Sequence, residues 1–366
     1  MINAVLRGKQ CMKDINLLML REPLISMLFF LFIVKICGYL FYMDGLIAIT
    51  YRCNARCKMC NIWKYPTKPS EEISPDDLRK LPSGLRFVNI TGGEPFIRED
   101  IEDFINILRT KAGRIVISTN GFFTQRILDV AKRNPDVGIR VSLEGFSKTN
   151  DKLRGIEGGF ERGLKTLVEL NALGHKDIGF GITLSDENPD DLIPLFHLSE
   201  SMKMEFATAA VHNSFYFHKD DNVMDRQEKI IGALEQLVNE LLKSNRPKNW
   251  FRAYFNHGLI NYVLGNPRLL PCKAGSILFF IDPYGDVHPC NGMDESFGNI
   301  KEKNWDEIWN SRHSDEIREL VRNCPKNCWM IGSVAPMIKK NIIPVSLWVL
   351  SKKILSISGK KYRFSK

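Results

Sequence analysis

The sequence predicts an α/β fold, in which a parallel sheet forms a partial (β/α)6 barrel of the TIM type and a small cysteine-rich module follows at the carboxyl end. Short apolar segments typical of buried strands alternate six times with helical segments. The length of 366 residues allows one large barrel with an appendage. Four of the nine cysteines lie within 266–330.

The elements follow one another regularly along the chain. The first predicted strand, Leu46–Tyr51, directly precedes a cysteine-bearing loop, and Ser74 with Pro75 then forms a typical helix start. Chemistry in such barrels lies at the carboxyl ends of the strands. The remaining predicted strands are Phe87–Thr91, Arg114–Thr119, Gly138–Leu143, Ile178–Leu184 and Glu205–Val211, and the predicted helices are Asp100–Lys111, Thr124–Arg133, Phe160–Leu173 and Asn188–Lys203.

We expect five regions along the chain. Residues 1–44 contain an apolar, membrane-associating helix, and residues 45–221 form the core barrel. Residues 222–265 are a helical linker to the cysteine-rich module at 266–330. Residues 331–366 are a basic amphipathic tail.

The positive charge is concentrated at the two ends of the chain. The formal net charge is +9, with 51 basic and 42 acidic residues. Residues 332–366 carry eight basic residues and no acidic one, and residues 1–44 carry five basic and three acidic ones. The body, 45–331, is therefore close to neutral, and we expect no nucleic-acid partner.

The segment Pro23–Met43 is almost entirely apolar, with Lys35 as its only charge. Its length reaches the roughly 20 residues that span a bilayer. Lys35 near the middle, and basic residues upstream, favour instead a helix lying in one leaflet on the cytoplasmic side. The alternatives are a single membrane span or a helix buried against the barrel, whereas a cleaved signal peptide fits poorly.

The carboxyl-terminal tail alternates apolar residues with lysine pairs. Trp348, Ile and Leu residues, framed by Lys352 and Lys353 and free of acids, are typical of a helix on an anionic membrane surface. The alternative is a solvated basic tail.

Three cysteines form a loop after the first predicted strand. Cys53, Cys57 and Cys60 have the spacing C-x3-C-x2-C, and three thiolates on one loop suit a [4Fe–4S] cluster with one open iron. A tetrahedral zinc site would need a fourth ligand nearby, and disulfides are improbable among three close cysteines. Cys11 and Cys37 stand alone.

This loop resembles that of the radical S-adenosylmethionine (SAM) superfamily. Further motifs follow in strand order at the ends of the next strands: Thr91-Gly92-Gly93-Glu94-Pro95, Ser118-Thr119-Asn120-Gly121, Ser142-Leu143-Glu144-Gly145 and Arg154-Gly155. Many members have Asp where this chain has Glu144. The resemblance covers roughly residues 45–215.

The resemblance implies a role for each matching residue. Cys53, Cys57 and Cys60 would hold the catalytic cluster, whose open iron SAM chelates. The other implied contacts with SAM are Met59 near the adenine, the backbone of Gly92, Gly93 and Glu94 with the amino group, Ser142 and Arg154 with the carboxylate, and Asn120 and Asn188 with the ribose.

The implied chemistry is reductive cleavage of SAM to a 5′-deoxyadenosyl radical, which removes hydrogen from a substrate carbon. Such chemistry needs low-potential electrons, so the resemblance implies a flavodoxin- or ferredoxin-type donor. A reduced cluster also needs a reducing compartment, which here is the cytoplasmic side of the membrane.

The second group of cysteines consists of Cys272, Cys290, Cys324 and Cys328. With Gly285 it reads C-x12-G-x4-C followed by C-x3-C, which resembles the shortened, one-cluster form (twitch) of the SPASM extension. The resemblance implies one auxiliary iron–sulfur cluster, a [4Fe–4S] cluster, and structural zinc is the alternative. We interpret His257 and His288 as structural residues.

Three hypotheses for function remain open. The first is a radical SAM enzyme acting on a membrane-associated or cell-envelope precursor, such as a lipid-linked or sugar intermediate. The second is a peptide-modifying enzyme, and the third is a non-catalytic iron–sulfur or zinc membrane protein. The substrate is accordingly a small molecule, a lipid-linked precursor or a peptide.

Overall fold

The structure is a computed structural model, and it describes residues 43–364. The predicted apolar helix within Pro23–Met43 lies outside the described residues apart from Met43. Cys11, Cys37 and the last two residues of the tail also lie outside them.

One nine-stranded sheet forms the centre of the molecule, with strand order β6-β5-β4-β3-β2-β1-β7-β8-β9. The first seven strands run parallel, and β8 and β9 are antiparallel additions. The strands are β1 Asp44–Ala48, β2 Phe87–Thr91, β3 Ile115–Thr119, β4 Gly138–Ser142, β5 Ile178–Leu184, β6 Glu205–Ala210, β7 Leu278–Ile281, β8 Asp286–His288 and β9 Gly298–Asn299.

The barrel strands form because each buries at least one face. The β-branched and aromatic residues of that face, such as Ile47, Ile90, Ile117 and Phe180, are fully buried in the main core. The helices are α1 Ile101–Lys111, α2 Thr124–Arg133, α3 Ser147–Arg154, α4 Gly159–Ala172, α5 Leu192–Ser201, α6 Gln227–Lys243, α7 Pro247–Val263, α8 Trp305–Trp309, α9 Arg312–Arg322, α10 Ile331–Lys340 and α11 Ile342–Ile357.

The predicted α/β fold is confirmed, with local differences. Strand β1 lies at Asp44–Ala48 and not at Leu46–Tyr51, and helix α3 has no counterpart among the predicted helices. Two predicted helix starts also differ. Ser74 does cap a helix, forming a reciprocal capping box with Asp77, but the helix is the 3-10 turn Pro75–Lys80. The helix predicted from Asn188 begins as the 3-10 turn Pro189–Asp191 and becomes α-helical only at Leu192.

The cysteine-rich module continues the barrel sheet instead of forming a separate layer. Strand β7 pairs in parallel with β1, Leu46 lying opposite Phe280. Strand β1 would otherwise be an open edge of a six-stranded partial barrel, and β7 satisfies its backbone hydrogen bonds.

The region expected to be a linker is a packed helical hairpin, α6–α7. Leu234 on α6 and Ala253 and Leu259 on α7 are buried in the main core. The Thr208 hydroxyl of β6 donates to Asn256 Oδ1 at 2.8 Å, so α7 also closes the last barrel strand.

One face of the basic tail packs on this hairpin. Val345 and Val349 of α11 are buried, and the Trp348 ring stacks on His257 at 4.8 Å between ring centres. Lys353 Nζ donates to the carbonyl oxygens of Leu242 at 2.6 Å and Ser244 at 3.0 Å, at the end of α6.

The opposite face of α11 remains exposed. The side chains of Ile343, Leu347, Ile354 and Ile357 follow one another at helical spacing and are each more than half exposed. We call these four residues the α11 stripe. Within residues 43–364, no helix combines the length and the apolar character needed to cross a bilayer.

Candidate iron–sulfur and cofactor site

The loop carrying Cys53, Cys57 and Cys60 follows β1, and its three free thiols are half-buried. Its shape is set by the end of α3, since Arg56 N donates to Arg154 O at 2.9 Å and Lys58 N donates to Leu153 O at 2.8 Å. The predicted cluster ligands thus share one loop that is fixed to the barrel by its backbone.

Burial disfavours the thiolate form of the three cysteines of this loop. Burial raises the pKa of Cys53 and of Cys60 to about 12, and burial also raises the pKa of Cys57. Metal ligation requires thiolates, so binding of a cluster here must release protons.

The Gly92-Gly93 turn lies directly against the chain that leads into the cysteine loop. Gly93 N donates to Thr50 O at 2.7 Å, and Glu94 N donates to Arg52 O at 2.9 Å. A Cβ atom on Gly92 would lie 2.4 Å from Thr50 O, and one on Gly93 would lie 2.3 Å from Arg52 O. Glycine is required because the two backbones approach this closely.

The Glu94 side chain is fully buried and holds neighbouring strands together. Its oxygens accept from Phe96 N at 3.1 Å, from the Thr119 hydroxyl at 2.8 Å and from Asn120 N at 2.7 Å. Burial raises the pKa of Glu94, and these three donors oppose that shift. The carboxylate therefore fixes the ends of β2 and β3, leaving only the backbone of this motif for a cofactor.

Arg154 is buried beside the cysteine loop and pairs with Glu144. Arg154 Nη1 donates to Glu144 Oε1 at 3.0 Å, and Thr183 N donates to Glu144 Oε2 at 2.6 Å. Burial opposes the charge of Arg154, but the Glu144 carboxylate beside it raises its pKa. The guanidinium remains charged.

One donor of Arg154 has no acceptor. Its Nε is buried and makes no hydrogen bond to any described residue, and Asn54 Nδ2, in the cysteine loop, is in the same situation. Buried N–H groups are normally paired, so these two open donors fit a ligand with acceptor oxygens, such as the SAM carboxylate.

Three other residues are predicted to contact SAM, and the structure shows where each of them lies: Ser142, Asn120 and Met59. Ser142 ends β4 and makes no hydrogen bond to Arg154 in the described structure, where Arg154 Nη1 donates to Glu144. Asn120 Nδ2 donates to Asn54 Oδ1 at 2.7 Å and so connects β3 to the cysteine loop. Met59 is half-buried. Their cofactor contacts stay predictions.

Asn188 is fully buried and uses its amide within the protein. Its Oδ1 accepts from Ser185 N at 2.8 Å, and its Nδ2 donates to Glu144 O at 2.8 Å and to Thr183 O at 3.0 Å. It holds the loop after β5 against the end of β4, and its ribose contact also stays a prediction.

The second cysteine group lies around the β7–β8 hairpin. Cys272, Cys290, Cys324 and Cys328 are free and half-buried. Burial, with Cys272 and Cys328 close by, raises the pKa of Cys290 to about 12. Gly285 turns the hairpin with φ +98, where a Cβ would meet Asn299 at 2.9 Å. These four thiols would hold the auxiliary cluster.

No three His, Cys, Asp or Glu side chains within the described residues converge on a point where they could hold a single metal ion. The cysteines of a [4Fe–4S] cluster each bind a different iron, so the two cysteine groups need no such convergence. Sequence reasoning also missed the partners of the site. The sequence does not reveal that Glu144 pairs with Arg154, or that the Tyr216 hydroxyl donates to Gly92 O at 2.9 Å. Residues 215–217 are three consecutive aromatic residues, and this run is the sequence feature that could have pointed to Tyr216.

Two family models match the chain. Residues 47–198 match the radical SAM superfamily, and residues 272–329 match SPASM, described as an iron-sulfur cluster-binding domain. The first match spans the barrel up to α5, and the second spans the second cysteine group.

Curated relatives agree with these matches. The chain is 33% identical over 313 residues to Fe-coproporphyrin III synthase of Methanosarcina barkeri, covering 75% of each chain. It is 26% identical over 288 residues to the mycofactocin maturase MftC of Mycolicibacterium smegmatis, covering 74% of this chain and 70% of that protein.

The fold also resembles solved structures. Streptococcus suis SuiB superposes with a TM-score of 0.60 at 20% identity, covering 79% of this chain and 72% of SuiB. This likeness shows the fold. Together with the cysteine loop, the glycine turn and the four-cysteine module, the matches confirm the predicted cofactors: a [4Fe–4S] cluster with SAM, and an auxiliary iron–sulfur cluster. The chain belongs to the radical SAM superfamily, in its SPASM branch, and is a radical SAM enzyme.

Proposed function

We propose that the carboxyl end of the barrel binds SAM, cleaves it reductively and abstracts hydrogen from a carbon of the substrate. The observation that carries the proposal is the convergence of three elements at this end. The three-cysteine loop lies against the Gly92-Gly93 turn, and a buried, charged Arg154 with an open donor lies beside both. When bound, the cluster and SAM supply the 5′-deoxyadenosyl radical.

The residues of the chain bind and orient the cofactor. Arg154 offers a charged donor to the carboxylate, and Glu144 fixes the guanidinium so that its Nε stays open. The carbonyl groups of the glycine turn would accept from the SAM ammonium, and Glu94 holds that turn in place. A preorganised site of this kind avoids reordering its dipoles during the reaction.

Anaerobic reconstitution tests this proposal. The loaded protein, reduced by a flavodoxin- or ferredoxin-type donor, should convert SAM to 5′-deoxyadenosine. The variant Cys57→Ala should lose this activity and keep the auxiliary cluster. A wild-type protein with full iron content that leaves SAM intact would remove the proposal and favour the non-catalytic hypothesis.

For the location of the enzyme, we propose an anionic membrane surface on the cytoplasmic side. The α11 stripe presents four exposed apolar side chains next to Lys352 and Lys360, in a tail without acidic residues. Apolar side chains beside cations fit the interface of an anionic bilayer.

The position of the tail bears on how the substrate approaches. Helix α10 ends near the start of β1, where Lys339 acts electrostatically on Asp44. The start of the strands is the end of the barrel opposite the site. A membrane bound there leaves the site facing water, so a cell-envelope precursor would have to present its reacting group, such as a sugar, outside the lipid.

Vesicle binding tests the membrane proposal. The full chain carrying Leu347→Glu and Ile354→Glu should bind vesicles containing anionic lipid at least tenfold more weakly than wild type. Val168, an exposed apolar residue of α4 away from the tail, provides the matched control as Val168→Glu. Equal binding by both variants would show that the stripe is not the lipid contact.

A peptide is the second candidate substrate. It is favoured by the likeness to the mycofactocin maturase, and the SuiB fold has also been solved with the precursor peptide SuiA. Deuterium transfer from labelled candidates into 5′-deoxyadenosine distinguishes the two classes, since only the true substrate donates its hydrogen.

A further inference from the structure

A ten-residue loop, which we call the strap, follows β6 and covers residues 213–222. It is closed at its base by a backbone hydrogen bond from Ser214 N to Lys219 O at 3.0 Å, and its tip is the 3-10 turn Phe215–Phe217. The strap begins after β6, the last barrel strand, and returns to the elements around β1, the first barrel strand. The strap touches three parts of the site.

The first contact is with the glycine turn. The Tyr216 hydroxyl donates to Gly92 O at 2.9 Å, and Tyr216 is only 4% exposed. Its ring is held by Phe280 of β7 at 4.9 Å and by Tyr51 at 6.0 Å between ring centres. A ring packed on two sides cannot turn its hydroxyl elsewhere without disturbing the core.

The second contact is with the cysteine loop, on both sides of Cys60. Asn222 Nδ2 donates to Met59 O at 3.2 Å. Asn61 N donates to Phe217 O at 2.8 Å, and Asn61 Nδ2 donates to His218 O at 2.9 Å. His218 has φ 48, a left-handed conformation that is unfavourable for a histidine. The two hydrogen bonds from Asn61 hold the backbone at this strained residue.

The third contact is with the auxiliary module. The Ser214 hydroxyl donates to Asn291 O, next to Cys290. The Phe215 ring lies 4.7 Å from the ring of His288 on β8. One short loop is therefore bonded to the glycine turn, to the cluster loop and to the auxiliary loop.

We propose that the strap couples the auxiliary site to the SAM site, with Tyr216 as the positioning residue. A carbonyl oxygen accepts two hydrogen bonds. The phenol takes one position on Gly92 O and orients it, which leaves the other position for the SAM ammonium. Ser214 holds the strap from the auxiliary side. This inference rests on the proposed SAM site, and it assigns to the auxiliary module a role in SAM affinity.

The test is SAM affinity of the full chain loaded with both clusters and kept oxidised, so that SAM is bound without being cleaved. Tyr216→Phe removes one hydrogen bond and keeps the ring, so SAM should bind roughly threefold to tenfold more weakly. Iron content and the unfolding midpoint should stay near wild type. The matched control is Tyr362→Phe, which removes the hydrogen bond between Tyr362 Oη of the tail and His257 Nδ1 of α7 at 2.8 Å and should leave SAM affinity unchanged.

The coupling is tested by Ser214→Ala. This variant should weaken SAM binding in the same direction as Tyr216→Phe, and the double variant should lose less than the product of the two single effects. If the Tyr216→Phe variant does not load iron, the SAM affinity of the Ser214→Ala variant alone decides whether the strap couples the two sites.

Unchanged SAM affinity in the iron-loaded variants, or an equal loss in Tyr362→Phe, would overturn the inference. Absence of 5′-deoxyadenosine from a wild-type protein that binds SAM would instead refute the proposed function, so the two failures are distinguishable.

Discussion

Replacing Glu144 by glutamine should destabilise the metal-free protein by about 3 kcal/mol, because it leaves a buried guanidinium without its counter-charge. Glu144 and Arg154 side chains are 4% and 12% exposed, and their contact is 3.0 Å. Removing one partner of such a pair costs about 3–5 kcal/mol. Glutamine keeps the size of the side chain and an acceptor for Thr183 N, so the lower end of that range applies.

Urea unfolding of the anaerobic, metal-free protein measures this change. The matched control is Asp136→Asn, which breaks a two-point ion pair with Arg109 whose side chains are 56% and 39% exposed. Because water screens that pair, its loss should cost less than about 1 kcal/mol. If Glu144→Gln costs no more than Asp136→Asn, the pairing does not stabilise the barrel and the reasoning fails.

Three further predictions concern single positions. Gly93→Ala places a Cβ 2.3 Å from Arg52 O, so the turn must move, and we expect SAM affinity to fall at least tenfold in a binding titration. A Cβ atom at Gly232 in α6 would meet no atom within 4 Å other than its own helix backbone, so Gly232→Ala should raise the free energy of unfolding by about 0.5–1 kcal/mol. A lower free energy of unfolding in this variant would contradict the prediction. Burial raises the pKa of Asp282 from 3.8 to about 7, so the contribution of this group to stability should be lost as pH rises from about 4 to 7. Asp282→Asn lacks this contribution, so the difference in unfolding temperature between wild type and the variant should change across this range; a difference that does not vary with pH would contradict the assignment.

Much of the fold could be predicted because its signals are local. Strands β2 and β5 occupy the predicted residues, and α2 matches its predicted range, since apolar periodicity and turn residues mark them directly. The cysteine loop and the glycine turn were recognisable for the same reason, because each lies within a few residues of a strand end.

The contacts missed in the sequence join distant parts of the chain. Tyr216 and Gly92 are 124 positions apart, and their hydrogen bond depends on how the strap crosses the barrel. The pairing of β7 with β1 is equally non-local. In the tail, periodicity predicted the helix, but Val345 and Leu347 are both apolar, and only packing decides that the first is buried and the second exposed.

The central claim is that this chain cleaves SAM reductively at the three-cysteine loop. The most direct measurement is 5′-deoxyadenosine formed under anaerobic reduction by protein carrying about eight irons per chain, the content of two [4Fe–4S] clusters. We expect wild type to form at least about one equivalent per chain. We expect none from Cys57→Ala. A wild-type protein with this iron content that forms none would contradict the account.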